Sequence, residues 1–388
     1  VIRVSGRARR RGRGAVAGLV AGAVATVLLS GCGNEGYQPA GPFRPLPEGA
    51  PPQVGPPTTQ APQPGQPPEP GAEGEGDPNV VASDLEVPTP VALMPDGSAI
   101  VGERDTGRIL QVFPDRSPPR ELMAVPGLDT SGDGGLLGLA VSPTFPEDGL
   151  LYAYVTTPAD NRVVRFPVGG TPNPVLTGIP RGATHNGGGL LFGADGNLYV
   201  GTGDTGDPAL AESPDSLAGK VLRIDVFGRP VGPDPVFTRG HRDVTAICPG
   251  GELSLYATDE GGDAPDELNL LAGGSQYGPR GTAPVAEVAR EEGGLGGCAV
   301  VGDIAFLGAL EGERVHVLPL SEPDPGTEDQ PPEDLLTGQY GRLRTVVVDT
   351  EGALWITTSN RDGIGTPAEG DDKVLRILPP NTGAESPL

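Results

Sequence analysis

The chain has 388 residues, 63 of them Gly and 46 Pro, together just over a quarter, which overlaps the composition of low-complexity segments. Hydrophobic residues at 36% exclude a wholly disordered chain, and aromatics at 4% call for a core of Val, Leu, Ile and Ala. The formal charge of −24 falls to −30 without the six arginines that precede Cys32, and so acidic a surface disfavours nucleic acid and polybasic membrane docking.

Those arginines (Arg3, Arg7, Arg9, Arg10, Arg11, Arg13) share a segment with no acid, and the apolar run Ala15–Leu29 that follows is short for a membrane span. The run ends in Leu29-Ser30-Gly31-Cys32, which matches a bacterial lipobox. Residues 1–31 are therefore predicted to be a lipoprotein signal peptide and Cys32 the lipidated residue, exporting the protein and anchoring it to the cell membrane outside the cytoplasm. The paired arginines leave the Sec and Tat routes both open. Fourteen Pro between Gly33 and Pro78 predict a polyproline-like tether within a linker over 32–79.

Lipidation of Cys32 leaves Cys248 and Cys298, and an exported compartment permits a disulfide between them. Both stand beside Gly pairs, which predicts loop positions; two buried thiols in separate strands are the alternative.

After Val80 short β-type runs follow turn signals: Asp96-Gly97 before Ala99-Ile100-Val101, Asp148-Gly149 before Leu150-Leu151-Tyr152, and Asp195-Gly196 before Leu198-Tyr199-Val200. Gly250-Gly251 before Leu253-Ser254-Leu255 and Glu351-Gly352 before Leu354-Trp355-Ile356 continue the series. The intervals are 52, 47, 55 and 101 residues, the last twice the usual step, with the skipped copy at Asp303–Leu307. A second element recurs after most of these, as Arg108–Leu110, Arg162–Phe166, Lys220–Ile224, Arg314–Val317 and Lys373–Ile377. Six periods of about 50 residues predict an all-β six-bladed β-propeller with four-stranded antiparallel blades over 80–380, then a tail at 381–388. A pair of β-sandwiches is the alternative, but it gives no reason for a regular period.

Gly201-Thr202-Gly203-Asp204-Thr205-Gly206 satisfies the spacing of a dinucleotide fingerprint, yet acids and prolines follow where a helix should begin. A blade-to-blade loop is expected instead. Among three histidines, His316 lies in a predicted strand, whereas His185 and His241 sit in Gly-rich loops and are candidate bases.

Several segments, in order, resemble the signatures of the glucose/sorbosone dehydrogenases, soluble six-bladed propellers that use pyrroloquinoline quinone (PQQ) to oxidise aldose sugars. They are Gly134–Val141, His185–Gly188, Leu198–Asp204, Asp215–Ile224, Gly240–Arg242, Asp266–Leu270 with Tyr277-Gly278, and Gly341–Arg344. The resemblance implies that Arg242, Arg342 and Arg344 hold the carboxylates of PQQ, and that His185 takes the proton of the sugar C1 hydroxyl while hydride passes to the quinone. It implies Ca²⁺ held partly by the carbonyls of Gly261 and Gly262, and a second, structural Ca²⁺ site, found in some relatives, at Asp266, Glu267 and the Tyr277 carbonyl. The partners implied are a small-molecule sugar and an unspecified electron acceptor, with the membrane met only through the lipid.

The chain also departs from the family. Asp243 replaces an Asn, Asp133 a Gln or Glu near the cofactor, Glu311 a Lys, Thr184 an Asp found in some members, and Gly262 a Pro. Asp133 and Asp243 remain cofactor-site positions. Two functions stay open: a membrane-anchored quinoprotein oxidoreductase, and a non-catalytic propeller lipoprotein that has lost PQQ through Asp243 and Glu311.

Overall fold

The computed structural model describes residues 76–251, 253–279, 281–321 and 333–379. The predicted signal peptide, Cys32, the linker up to residue 75 and the C-terminal tail lie outside the described residues. The chain divides into two units, Val1–Glu69 and Pro70–Leu388, and the described residues belong to the second.

β1 (Val80–Ala82) stands apart from the strands that follow it in sequence. Blade 1 then comprises β2 (Pro88–Leu93), β3 (Ala99–Glu103), β4 (Arg108–Val112) and β5 (Arg120–Ala124). Blade 2 contains β6 (Leu136–Val141), the helix α1 (Phe145–Asp148), β7 (Leu150–Thr156), β8 (Asn161–Pro167) and β9 (Asn173–Ile179). Blade 3 contains β10 (Leu190–Phe192), β11 (Leu198–Gly201), the helix α2 (Pro208–Glu212), β12 (Lys220–Ile224) and β13 (Val236–Arg239). Blade 4 is β14 (Val244–Pro249), β15 (Leu255–Asp259), β16 (Asp266–Leu270) and β17 (Ala286–Val288). Blade 5 is β18 (Leu295–Val301), β19 (Ile304–Ala309) and β20 (Arg314–Pro319). Blade 6 is β21 (Leu343–Val348), β22 (Leu354–Thr358) and β23 (Val374–Ile377), and its fourth place is taken by β1.

The fold is the predicted six-bladed propeller, with one local difference. Blade 5 has three strands among the described residues, and its outer position is marked by a single antiparallel bridge from Val315 to Leu335. The repeating turns join the first and second strands of the blades, where glycines 97, 149, 196 and 352 have positive φ, the conformation that glycine adopts without strain. Blade faces bury Val, Leu, Ile and Ala against their neighbours; Trp355, fully buried, fills the junction of blades 6 and 1.

Cys248 and Cys298 form the expected disulfide. Their positions correct the loop expectation: both lie in innermost strands, β14 and β18; Gly296 and Gly297 pack against blade 6, whereas Gly250 and Gly251 form the turn from β14 to β15. Gly297, for instance, has no room for a Cβ, which would come within 2.5 Å of the Val346 nitrogen. The innermost strands surround a cavity of about 330 Å³ along the ring axis, with Arg344 among its lining residues.

Candidate active site

Antiparallel blades place the turn between second and third strands, and the connection to the next blade, at the end opposite the repeating Asp-Gly turns. Those loops carry His185, Asp204, Arg242, Asp243, Glu260, Gly261, Gly262, Glu311 and Arg342, and gather them from four blades at one mouth.

His185 has φ of 53°, strained for a residue with a Cβ. The strain is held by its carbonyl, which accepts the Thr205 N–H at 3.1 Å, and by Asn186, buried beneath it, whose Oδ1 accepts from Asn161 Nδ2 at 2.9 Å. Gly203 permits this approach: a Cβ there would lie 1.9 Å from the His185 carbonyl oxygen. The Gly201–Gly206 segment thus lies inside blade 3, between β11 and β12, rather than between blades as the sequence suggests.

His185 Nδ1 lies 2.7 Å from Asp204 Oδ1, and the same oxygen accepts the Gly206 N–H at 2.8 Å. The Asp204 carboxylate is only 2% exposed, so its hydrogen bond raises the His185 pKa above the ordinary imidazole value against the opposing effect of burial. With Nδ1–H donated to Asp204, Nε2 keeps its lone pair and has no hydrogen-bond partner among the described residues.

The three arginines fare differently. Arg344 on β21 makes no side-chain hydrogen bond or ion pair among the described residues, and burial, followed by the nearby charge of Arg104, lowers its pKa. Arg242 leaves a buried Nε without an acceptor. Its guanidinium rests against Gly262, where a Cβ would come within 2.6 Å of Nη2. Gly262 has φ of 61°, which proline cannot adopt, so glycine here follows from the lean of Arg242. Arg342 is already paired, with Asp362 at 2.8 Å through Nε and with Glu311 at 3.3 Å through Nη2.

Carboxylates crowd the same mouth. Asp133 is exposed and its Oδ2 accepts the His185 N–H at 3.3 Å. Asp243 is buried, accepts the Gly187 N–H at 2.7 Å, and is pushed well above the usual carboxylate range by burial and then by Glu260. Glu260, the residue before Gly261, has its carboxyl raised to about 7, first by burial and then by Asp266. Thr184 is exposed beside His185.

At the expected second calcium site the two carboxylates diverge. Asp266 and Glu267 are consecutive in β16 and face opposite sides of the sheet. Asp266 accepts the backbone N–H groups of Gly261, Gly294 and Leu295 at 2.6–2.9 Å, whereas Glu267 accepts from Asn269 at 3.1 Å. Tyr277 closes its own turn through an O–H donated to the Leu270 carbonyl at 2.5 Å. Among the described residues no cluster of three or more His, Cys, Asp or Glu side chains could hold a metal ion. At the other proposed site, the Gly261 carbonyl already accepts the Ala264 N–H. The side chains thus form no cage for a calcium ion among the described residues, and the Gly261 carbonyl retains a second lone pair.

His241 is excluded as a base: its side chain is fully buried, stacks on Tyr277 at 4.7 Å, and is held by Thr238 and Asp259. His316 in β20 is likewise structural, bonded to Asp334 and the Glu292 carbonyl. The sequence did not single out Asp204 as the partner of His185, nor Asp362, Glu260 or Arg104; only the acid ending Leu198–Asp204 offered a signal.

At one mouth of the propeller the His185 imidazole, with Nε2 unpartnered, stands near guanidinium groups that lack acceptors among the described residues. The family model described as Glucose / Sorbosone dehydrogenase matches residues 85–291, and the chain belongs to that family. It is similar to the PQQ-bound aldose sugar dehydrogenase of Streptomyces coelicolor, at 37% identity and a TM-score of 0.72, over 76% of this chain and 95% of that one. It is 27% identical to quinoprotein glucose dehydrogenase B of Acinetobacter calcoaceticus over 52% of each chain, so it spans about half the length of that curated relative. It is also 22% identical to an aldose sugar dehydrogenase of Escherichia coli, over 78% of this chain and 92% of that one.

Proposed function

We propose that the protein is a membrane-anchored quinoprotein dehydrogenase that oxidises an aldose or related sugar at its C1 hydroxyl with PQQ. The observation that carries this is the His185–Asp204 pair beside two guanidinium groups, Arg344 and Arg242, that have unpartnered N–H groups. Those donors fit a tricarboxylate; Arg242, Arg342 and Arg344 would hold it. When bound, PQQ supplies a quinone that accepts the C1 hydrogen with its electron pair.

The protein's own part is proton transfer and positioning. His185 Nε2 takes the hydroxyl proton, and the imidazolium so formed is stabilised by Asp204 across Nδ1–H. The strained, triply anchored backbone at 185 fixes the ring, so little reorganisation is required. Calcium, which the family resemblance implied, has no fitting side-chain cage here and is left outside the mechanism. Attachment to the membrane through Cys32 rests on the lipobox alone, and loss of detergent partitioning in Cys32→Ala tests it.

The test of function is titration of the full chain with PQQ, with and without added calcium, followed by dye reduction with aldoses. His185→Ala is expected to lose a factor of roughly 10²–10⁴ in rate while still binding PQQ. Absence of PQQ binding at high micromolar concentration would sink the proposal. A second reading, a propeller lipoprotein that binds without catalysis, is favoured by the double engagement of Arg342. If Glu311 competes for that guanidinium, Glu311→Gln binds PQQ up to about tenfold more tightly, as expected for a partly exposed ion pair; an unchanged affinity removes Glu311 from the cofactor site.

A further inference from the structure

We propose that the crevice between blades 3 and 4, at the end of the ring opposite the mouth, is a second binding site that takes a small aromatic carboxylate. The inference is independent of the PQQ reading.

The crevice holds about 230 Å³. Its blade 3 wall is built by strand pairing: Tyr199 on β11 stands opposite Arg223 on β12, so both side chains project from one face of the sheet, and Phe237 on β13 continues the row. The Tyr199 and Phe237 rings meet edge to face at 5.1 Å, and the Arg223 guanidinium lies 5.3 Å from the Phe237 centroid. Glycines leave room for both rings: a Cβ at Gly193 would come within 2.7 Å of Tyr199 Cε2, and one at Gly273 within 2.8 Å of Phe237 Cε2. The blade 4 wall is largely apolar, with Leu255 buried and Leu253 76% exposed.

The guanidinium has donors to spare. Nη2 reaches the Val231 carbonyl at 3.3 Å, Nε is buried with no acceptor, and Arg223 forms no ion pair among the described residues. Asp195 also lines the crevice, but its oxygens accept from the Asn197 backbone and side chain and from the Tyr199 O–H at 2.7–3.1 Å. A carboxylate from outside completes the hydrogen bonding of Arg223, while the ring it carries packs against the two aromatic side chains and the leucines. Volume sets the size of the ligand. A cavity of about 150 Å³ admits benzene, so this one admits a single ring with its carboxylate and is too small for the three fused rings of PQQ.

Calorimetric titration of the full chain with benzoate and with its neutral isostere benzamide tests this. Benzoate should bind roughly tenfold more tightly than benzamide. Arg223→Met, which keeps the stem and removes the donors, should abolish that preference. Leu253→Asp changes an exposed side chain, should weaken benzoate severalfold, and decides the matter if Arg223→Met does not fold. No benzoate binding at millimolar concentration, equal affinity for the two ligands, or a benzoate affinity unchanged in these variants overturns the inference. So does loss of benzoate binding on saturation with PQQ or in Arg344→Ala, either of which puts the ligand at the mouth. Arg223-dependent benzoate binding by a chain that does not bind PQQ upholds the crevice site while the dehydrogenase reading falls.

Discussion

At the scale of single residues, the site is governed by how buried carboxylates are used. Asp259 accepts the backbone N–H groups of both Arg242 and Asp243 as well as His241 Nδ1, and Asp266 accepts three backbone N–H groups between blades. Each anion organises a loop, which is why they are not free for a metal. Asp204 differs, because one of its partners is the reactive imidazole. Its raised His185 pKa has two consequences of fixed sign. A histidine with a folded value above its unfolded one adds stability that is fully present below about pH 6.5 and is lost as pH rises through the folded value. As a base it must be neutral, so turnover should rise with pH through that same raised value. Asp204→Asn should therefore lower the His185 titration midpoint seen by NMR, move the rate inflection to lower pH, and cut the maximal rate by roughly a hundredfold. An unmoved midpoint would separate Asp204 from catalysis.

At the scale of elements, the loop between β11 and β12 is held by Lys220, whose side chain is inaccessible to solvent. Its ammonium donates to the carbonyls of Leu210, Ala211 and Ala218 at 2.7–3.0 Å, capping the C-terminal end of α2. Burial pulls its pKa down to about 8. Lys220→Met keeps the apolar stem but leaves three carbonyls without a donor, and should cost about 2–4 kcal/mol in urea denaturation. Amide exchange in 203–219 should accelerate more than in blade 1; uniform acceleration would show that the loop is not an independent unit. This device shows why sequence legibility was uneven. Lys220–Ile224 reads correctly as a strand because alternation is local, and the 50-residue period reads correctly because an acid-Gly turn joins the first two strands of four of the blades. The partner of His185 is nineteen residues away, Arg342 meets Glu311 across a blade boundary, and Asp266 and Glu267 are adjacent in sequence yet on opposite faces. Contacts of that kind have no periodic trace, so the scaffold was legible and the wiring of the site was not.

At the scale of the whole molecule, the ring is closed by a strand from the other end of the described chain. β1 pairs antiparallel with β23, Val80 opposite Leu375 and Ala82 opposite Val374, and so completes blade 6. Val81 and Ala82 are buried in the cluster that contains Trp355. The preceding residues add polar ties: Asn79 accepts the Arg376 N–H at 2.8 Å through its carbonyl, and Tyr340 O–H donates to Asp77 at 2.5 Å. Without this segment β23 would be an open edge, a template for pairing with another chain. A chain starting at Ser83 should lose roughly 2–4 kcal/mol, from buried Val and Ala surface and the ladder hydrogen bonds, and should scatter light at concentrations where the parent does not. The mouth should suffer too, since Arg344 stands in the first strand of the same blade and Arg342 just before it, so PQQ affinity should fall along with stability. A synthetic peptide covering 76–82 added in trans should restore both by strand addition. If the shortened chain keeps the parent's urea midpoint and stays monomeric, closure of the ring depends on blade packing alone and β1 is dispensable.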